Sequence, residues 1–299
     1  MKRKIIKQAS QAYTITLPIG WVRKNNLDEK SEVDVEESEK SLVINSNKAV
    51  VGEKVVLDMR NLHLNNVFRH INALYARGVD EIELIYGRDI SHDLLSFLNQ
   101  TMGYALISQS SGKFIIKDIS GGNYQNLDEI FKRVFQMIIS FYESAIKDIF
   151  GNEKETLKSL DSRDSEVNKF CLYLQRAINK MSYPDVVKGR ALFTYSFSLE
   201  KISDEIHRLW RANIKHEIKK TEALKELAEL SCEGLGKSFD LYYGFNSKKV
   251  EEIYYLRQKV REKSLSLKVE GHTIRFVRHI VKIIEDAHDL SHLAIMMRL

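Results

Sequence analysis

Glu200 and Asp204 lie four positions apart in a stretch with helical spacing. Side chains at positions i and i+4 project from one helix face, so these two carboxylates can share a cation. Two carboxylates are too few for a tight site, and Asp164 on the neighbouring predicted helix is the candidate third ligand. Such an oxygen-rich set suits Mg²⁺, Mn²⁺, Fe or Ca²⁺. The alternative is that the carboxylates pair with Arg208 or with lysine neighbours, or remain in water.

A cluster of positive charge occupies the beginning of the chain. Its members, which all precede the first acidic residue, are Lys2, Arg3, Lys4, Lys7, Arg23 and Lys24. Such a cluster can neutralise nucleic-acid phosphates and release their counterions, although a solvated terminus is the alternative. We expect Thr14 and Thr16, in the strand between the two basic groups, at the same surface. Residues Asp28–Glu39 are strongly acidic and are therefore expected to face away from any duplex.

Short elements position these basic residues. Alternation and β-branching predict a strand over Tyr13–Leu17, which Pro18 ends, and proline suits the start of a short helix over Ile19–Asn26. Further strands are predicted over Ser31–Val35 and Ser41–Ile44. A module this small buries too little apolar surface to be stable alone, so we expect a second copy of the chain to complete its core.

The stretch Gln11–Leu27, with the acidic strand and the SLVI segment that follow it, resembles the AbrB/SpoVT family of swapped-hairpin DNA-binding domains. The motif is a strand that runs into TLP, followed by a short basic helix that ends in NNL. The resemblance covers residues 1–46 and implies an intertwined homodimer that binds DNA. Arg23 is the best candidate for a base contact, because a guanidinium can bond guanine in two places.

Residues 47–120 change to alternating strands and helices, which predicts a small α/β domain. The predicted strands span Val55–Met59, Val79–Tyr86, Tyr104–Ser108 and Lys113–Ile119, and the predicted helices span Asn65–Arg77 and Leu94–Met102. The segment has neither a glycine-rich phosphate loop nor clustered catalytic residues. Residues Tyr75–Asp80 are a candidate ligand loop, but a connecting spacer is our preferred interpretation of this domain.

Residues 124–299 predict an all-helical domain. The predicted helices span Leu127–Phe150, Lys154–Met181, Pro184–Lys215, Glu217–Tyr243, Ser247–Leu267 and Gly271–Met297. Because the pattern of three long helices repeats, we expect two three-helix units, about 124–216 and 217–299. In the third helix, steps of three and four residues predict one buried seam, formed by Leu192, Tyr195, Leu199, Ile202, Ile206 and Leu209.

The segment Ser198–His207, which contains the first acidic pair, resembles the PhoU family, whose repeats carry an acidic metal motif in this helix. Upstream, Asp161–Val167 is similar to the acidic start of the second helix in that family. An AbrB-like hairpin, an α/β spacer and a PhoU-like bundle together resemble archaeal phosphate uptake regulators over nearly the whole chain. The resemblance implies a regulator, with a phosphate transporter or its sensor as a candidate partner.

The last predicted helix carries a second acidic group with two possible registers. If Asp286 is the aspartate of the motif, a lysine stands where the glutamate belongs. If Asp289 pairs with Glu285 instead, the apolar row keeps the phase of the first unit, and we prefer this register. It also places His288 and His292 on one side, with metal-competent spacing. The alternative is a polar, partly exposed helix with two ordinary histidines.

The composition limits the classes of function. The chain has 299 residues, 43% of them hydrophobic and 29% charged, as in a folded protein of two or three domains. No apolar run is long enough for membrane insertion, and Cys171 and Cys232 lack metal or redox spacing, which favours a reducing cytosol. The sequence contains no nucleophile elbow, Walker loop or zinc-protease helix, so we expect no enzyme, with metal-assisted hydrolysis of phosphate esters as a minor alternative.

These patterns predict a multidomain α+β protein with an N-terminal swapped-hairpin β module, a small α/β domain and a C-terminal all-α bundle of two three-helix units. The expected function is that of a cytoplasmic, homodimeric, DNA-binding regulator of phosphate uptake, whose bundle senses a metal or a partner. The alternative is an adaptor that docks on a phosphate transporter and uses the hairpin only to dimerise.

Overall fold

The computed structural model confirms the predicted α+β, multidomain architecture. It describes residues 2–8, 12–38, 41–46, 52–121, 124, 126–151, 156–181, 183, 185–216 and 218–299. The chain divides into two compact units, Met1–Gly52 and Glu53–Leu299. Several positions named in the sequence predictions lie outside the described residues, namely Gln11, Glu39, residue 47, Lys154, Pro184 and Glu217.

The first unit contains two antiparallel strand pairs and one short helix. Its elements are β1 (Ile6–Gln8), β2 (Ala12–Thr14), α1 (Ile19–Lys24), β3 (Val33–Ser38) and β4 (Ser41–Ser46). Strand β1 pairs with β2, and β3 pairs with β4. The hydroxyl of Ser46 donates to the side-chain carbonyl of Asn25 at 3.0 Å, which ties the end of β4 to the end of α1.

Two elements of this unit are shorter than predicted. The predicted strand Tyr13–Leu17 is paired only as far as Thr14, because the ladder between β1 and β2 ends at the pair of Ile6 with Thr14. The predicted helix ends at Lys24 rather than Asn26. Asn26 has a φ of 51°, and this left-handed backbone cannot continue an α-helix.

The second unit begins with a four-stranded sheet. Its elements are β5 (Lys54–Asp58), α2 (Leu64–Arg77), β6 (Glu81–Ile85), α3 (Ser91–Leu98), β7 (Tyr104–Ser110) and β8 (Lys113–Asp118). The strand order is β5-β6-β8-β7, in which β5 and β6 are parallel and the other pairs are antiparallel. Both helices cover one face of the sheet, where the rings of Phe68 and Phe97 stack with centroids 4.3 Å apart.

Six helices follow and form a large apolar core. They are α4 (Leu127–Phe150), α5 (Leu157–Lys180), α6 (Val186–Lys215), α7 (Glu222–Tyr243), α8 (Ser247–Ser266) and α9 (His272–Arg298). Helix α7 begins later than predicted because Thr221 is its N-cap. The Thr221 hydroxyl accepts the N–H of Leu224 at 3.2 Å, so the residues before it stay outside the helix.

The predicted seam of α6 is confirmed, because all six of its residues are buried. The apolar row that our preferred register predicts in the last helix is buried as well, and consists of Val277, Ile280, Ile284, Ala287, Ser291 and Ala294. Helices α6 and α9 pack against each other. The buried rows of α6 and α9 therefore follow the same spacing in the two three-helix units, and both face a shared core.

A buried arginine joins the sheet to the helical bundle. Arg176 on α5 is fully buried, and its guanidinium lies 4.9 Å and 5.0 Å from the ring centroids of Tyr75 and Tyr104. It donates to the carboxylate of Asp118 at 2.5 Å and to the carbonyls of Tyr75 and Val79 at 2.9 and 2.8 Å. The α/β segment is thus fixed to α5 rather than loosely tethered to it.

Candidate nucleic-acid interface and carboxylate cluster

The predicted nucleic-acid contacts all lie in the first unit and are all exposed. They are Lys2, Arg3, Lys4, Lys7, Thr14, Thr16, Arg23 and Lys24. Lys7 on β1 and Thr14 on β2 occupy adjacent rungs of one ladder, so their side chains point to opposite faces of the hairpin, and the expectation of one common surface is wrong for this pair. Arg23 and Lys24 form the last turn of α1. The structure therefore presents these side chains to solvent, and contact with DNA stays a prediction.

The positions of these residues follow from local chemistry. Pro18 is the N-cap of α1 with an extended backbone, and the N–H groups of Trp21 and Val22 donate to its carbonyl at 2.9 and 3.0 Å. Thr14 donates its hydroxyl to the carbonyl of Ile6 at 3.4 Å, across the hairpin. Within the described ranges, none of the six basic side chains has a carboxylate within ion-pair distance. Their charge therefore remains available to an anionic partner.

Acidic residues of this unit occupy other elements. Asp28 begins a turn in which its carboxylate accepts the Ser31 hydroxyl at 2.7 Å and the N–H of Lys30 at 3.1 Å. Asp34 and Glu37 lie on β3, which pairs with β4 and not with the basic hairpin of β1 and β2. The acidic and basic residues therefore lie on different strand pairs, and the orientation of the acidic residues away from a duplex stays a prediction.

The first unit buries none of its described residues within one chain. Seven large apolar side chains are at least half exposed, namely Ile5, Ile6, Tyr13, Ile15, Ile19, Val35 and Leu42. Fully burying one such side chain contributes about 1.5–3 kcal/mol. Because these side chains are 50–68% exposed, burying half of their exposed surface contributes about 3–6 kcal/mol, which is a large part of the stability of a small domain.

The three predicted metal ligands of the first helical unit are neighbours. Asp164 on α5 accepts the hydroxyl of Ser203 on α6 at 3.0 Å and the amide of Asn168 at 3.3 Å. Burial raises the pKa of the Asp164 carboxyl, and the negative charge of Asp204 raises it further. Burial also raises the pKa of Glu200, with smaller increases from Asp204 and Asp164. The three carboxylates thus repel one another in a partly desolvated position.

Arg208 already pairs with this cluster. Its guanidinium donates to Asp204 at 2.6 Å and to Glu205 at 2.5 Å, as the alternative interpretation of the acidic pair expected. In the described part of the chain, no group of three or more His, Cys, Asp or Glu side chains is placed to hold a metal ion. The oxygen donors fit a hard cation chemically, but Arg208 would have to release Asp204. Metal binding here stays a prediction.

In the second three-helix unit, two arginines occupy the place that a cation would take. Both Nε and Nη2 of Arg257 lie 2.9 Å from Oε2 of Glu285, and Arg261 is 3.6 Å from its other oxygen. The side chain of Asp289 is 78% exposed. Glu285 is thus engaged by two arginines while Asp289 is largely exposed, so these donors fit a metal less well than those of the first three-helix unit. Metal binding at this pair also stays a prediction.

Sequence reasoning missed several of the residues that organise these regions. Arg257 and Arg261, spaced i and i+4 on α8, give a weak signal because the same spacing is common on solvated helices. Arg176 gives none, since nothing in the sequence separates it from the exposed arginines of the bundle. Glu205 on α6 accepts a 2.6 Å hydrogen bond from Nδ1 of His279 on α9 and so links the two helical units.

One family model matches the chain, and it covers residues 6–51. Its description is antidote-toxin recognition MazE, bacterial antitoxin. The match is consistent with an AbrB-like DNA-binding domain at the N-terminus and, at a coarse level, with a DNA-binding regulator. No curated protein and no solved structure matches the chain. The resemblance of the helical region to the PhoU family stays a prediction. Within the described ranges, no helix has the length and apolar character needed to cross a membrane.

Proposed function

We propose that the chain is a cytosolic, homodimeric transcriptional regulator of phosphate uptake. Its first unit binds DNA as an intertwined dimer, and its helical units respond to a metal ion or to a phosphate transporter or its sensor. The proposal depends most on one observation, which is that the first unit exposes both its basic side chains and the apolar residues that should form its core. A second copy of the chain would bury the apolar residues and double the number of basic side chains on the surface.

The dimer matters for recognition because it sets symmetry. Two copies place two sets of the basic side chains about a two-fold axis, which matches a palindromic DNA site. Lysines of the N-terminal segment contact phosphates, which hold the protein on the duplex without reading sequence. Arg23, exposed at the end of α1, contacts a base edge.

The link to phosphate uptake has weaker support than the link to DNA. It comes from the resemblance of the acidic α6 segment and the paired three-helix units to PhoU proteins. The carboxylates of Asp164, Glu200 and Asp204 are the candidate metal ligands. A cation shared by them would relieve the mutual repulsion and desolvation that raise the pKa values of Asp164 and Glu200.

The DNA-binding part is tested by the salt dependence of binding to one specific and one scrambled duplex. Replacing Lys4 by alanine should weaken binding to both duplexes and reduce the salt slope by about one unit. Replacing Arg23 by alanine should also narrow the difference between the duplexes, by about 1–3 kcal/mol. Lys30 is an exposed lysine on the acidic turn, so Lys30→Ala is the matched control and should change little.

If the wild-type chain binds neither duplex at low salt, the hairpin serves only for dimerisation, and the adaptor function replaces the proposal. If Lys30→Ala weakens binding as much as Lys4→Ala, the charge effect is general and the basic surface has been placed wrongly.

The metal part is tested by elemental analysis and by melting with and without Mn²⁺. Wild type should bind the metal and unfold at a higher temperature in its presence. The double variant Glu200→Gln, Asp204→Asn should lose both effects, whereas the control Glu222→Gln, on an exposed helix start, should keep them. Equal metal content in wild type and the double variant would leave these carboxylates as structural groups.

A further inference from the structure

A cleft of about 1040 Å³ lies in the α/β segment, at the carboxyl ends of β5 and β6. These two strands are parallel, and the segments that leave them form the walls of the cleft. Ligands of open α/β sheets bind beyond the carboxyl ends of parallel strands, because the loops there diverge. Neither the basic surface of the first unit nor the carboxylate cluster contributes a residue to this cleft.

Three cationic or proton-donating side chains line the cleft. Arg60 makes two parallel bonds to Asp58, from Nε at 2.9 Å and from Nη2 at 2.5 Å, and its remaining N–H groups are unused by that carboxylate. These bonds lower the pKa of Asp58, so it stays ionised and the Asp58–Arg60 pair carries no net charge. Arg60 therefore contributes its remaining N–H donors to an anion, and Arg88 contributes the uncompensated positive charge. Arg88 is exposed and, in the described part of the chain, has no carboxylate within ion-pair distance.

His63 supplies the third donor. Its Nδ1 accepts the N–H of Asn65 at 3.2 Å, and this fixes the hydrogen of the neutral ring on Nε2. His63 is also the N-cap of the 14-residue helix α2, whose first turn adds partial positive charge beside the arginines.

The walls of the cleft are held together before any ligand binds. The hydroxyl of Tyr86, after β6, donates to the carbonyl of Leu62, after β5, at 2.8 Å. The guanidinium of Arg88 lies 5.5 Å from the Tyr86 ring centroid. Gly87 has a φ of 85°, and a Cβ at this position would lie 3.4 Å from the side chain of Arg60. The two arginines are therefore carried by segments bonded to each other, which reduces the entropy lost on binding.

A second cleft of about 410 Å³ shares Gly87 and Arg88 with the first. Its other wall is the turn of the β7–β8 hairpin, which contributes Gln109, Ser110 and Ser111. Amide and hydroxyl groups of this kind bond the hydroxyls of a polar ligand without adding charge. Asp89 also lines this cleft, and its carboxylate accepts the Ser91 N–H at 2.9 Å and the Ser91 hydroxyl at 2.6 Å. Arg88 thus stands between a cationic cleft and a polar cleft that contains one carboxylate, which can accept hydrogen bonds from ligand hydroxyls.

We propose that these joined clefts bind a small phosphomonoester. Its phosphate group lies between Arg60, His63 and Arg88, and its polyhydroxyl part extends towards Gln109 and the hairpin turn. Two guanidinium groups and an imidazole N–H match a dianion with three acceptor oxygens, because guanidinium forms paired, charge-assisted bonds to phosphate. The assignment gives the α/β segment a ligand-binding role, independent of whether the first unit binds DNA.

The test is calorimetric titration of the full chain, without DNA, with ribose 5-phosphate, glycerol 3-phosphate and adenosine 5′-monophosphate. Ribose and inorganic phosphate serve as the comparison ligands. At least one phosphomonoester should bind, more tightly than inorganic phosphate, and ribose should show no heat. Arg88→Gln should weaken that binding about tenfold to a hundredfold, as expected for the loss of a charge-assisted hydrogen bond.

The matched control is Arg69→Gln, at an exposed position of α2 outside the cleft, and it should change the affinity less than twofold. Because Arg88 is exposed, its variant should melt at the wild-type temperature, so that weaker binding is not a folding effect. The proposal is overturned if no phosphomonoester binds, or if Arg88→Gln and Arg69→Gln have equal effects. Inorganic phosphate binding as tightly as the esters would overturn the role of the second cleft.

Discussion

Replacing Arg176 by methionine should destabilise the second unit by about 3–5 kcal/mol, the cost of removing one partner from a buried ion pair. Methionine keeps most of the side-chain length and removes the charge. The carboxylate of Asp118 is only 4% exposed and would lose its 2.5 Å bond to Nη2. The carbonyls of Tyr75 and Val79 keep other donors, the N–H of Gly78 and the hydroxyl of Tyr104, so most of the cost falls on Asp118.

Urea unfolding followed by circular dichroism measures this change. Arg211→Met is the control, because Arg211 is an exposed arginine of α6, and it should alter the free energy of unfolding by less than about 0.5 kcal/mol. Adding Asp118→Asn to the Arg176 variant should cost less than the sum of the single changes, by about 1–3 kcal/mol. An Arg176→Met variant within about 1 kcal/mol of wild type would refute the idea that this arginine fixes the sheet to the bundle.

The same pair predicts a pH dependence. Burial alone would raise the pKa of Asp118, but hydrogen bonds from Ser120 and Arg176 outweigh it and lower the pKa below its usual value of 3.8. A carboxyl whose pKa falls on folding stabilises the protein above its unfolded pKa, and this stabilisation is lost as the pH falls through the folded pKa. The difference between wild type and Arg176→Met should therefore be largest near neutral pH and shrink as the pH falls through the pKa of Asp118 in the variant and towards the lower pKa in wild type.

Three further predictions concern other positions. Gly234→Ala should lower the free energy of unfolding by about 1–3 kcal/mol, because the added Cβ would lie 2.0 Å from the side chain of Ile284. Gly236→Ala on the same helix has open space and should raise the free energy of unfolding by up to about 1 kcal/mol. Urea unfolding measures both changes. Glu200→Gln should raise the melting temperature at pH 7 and have no effect near pH 4, since burial raises the pKa of Glu200 and its ionisation costs stability as the pH rises through the folded pKa. Deleting residues 1–46 should lower the number of subunits per particle measured by sedimentation, and an unchanged number of subunits would show that the bundle holds them together.

The spacing of apolar residues and the positions of helix-breaking residues predicted most of the helical region. The bounds of α4 agree with the sequence prediction, and the seams of α6 and α9 are buried in the predicted phase. These features depend on patterns local to one helix, in which apolar residues at spacings of three and four must face the core. The predicted start of α7 was wrong, because the hydroxyl of Thr221 caps the helix and so begins it after the residues whose composition also suits a helix.

The sites were harder to predict because they depend on contacts between distant segments. The proximity of Asp164 to the acidic pair of α6 was anticipated, but the Arg208 pairing and the arginines opposite Glu285 decide whether a cation has room. The cleft beyond β5 and β6 has no motif, since its donors come from two loops about 25 positions apart that only the sheet brings together. Arg176 is buried only because two domains predicted as separate pack on one another.

The central claim is that the first unit binds DNA as a symmetric dimer. Selection of bound sequences from a library of random duplexes tests this claim directly, because the library contains every short operator sequence and the protein itself selects among them. We expect enrichment of one sequence with two-fold symmetry, and loss of that enrichment with Arg23→Ala but not with Lys30→Ala. No enrichment by the wild-type chain, or enrichment of a sequence without two-fold symmetry, would contradict it.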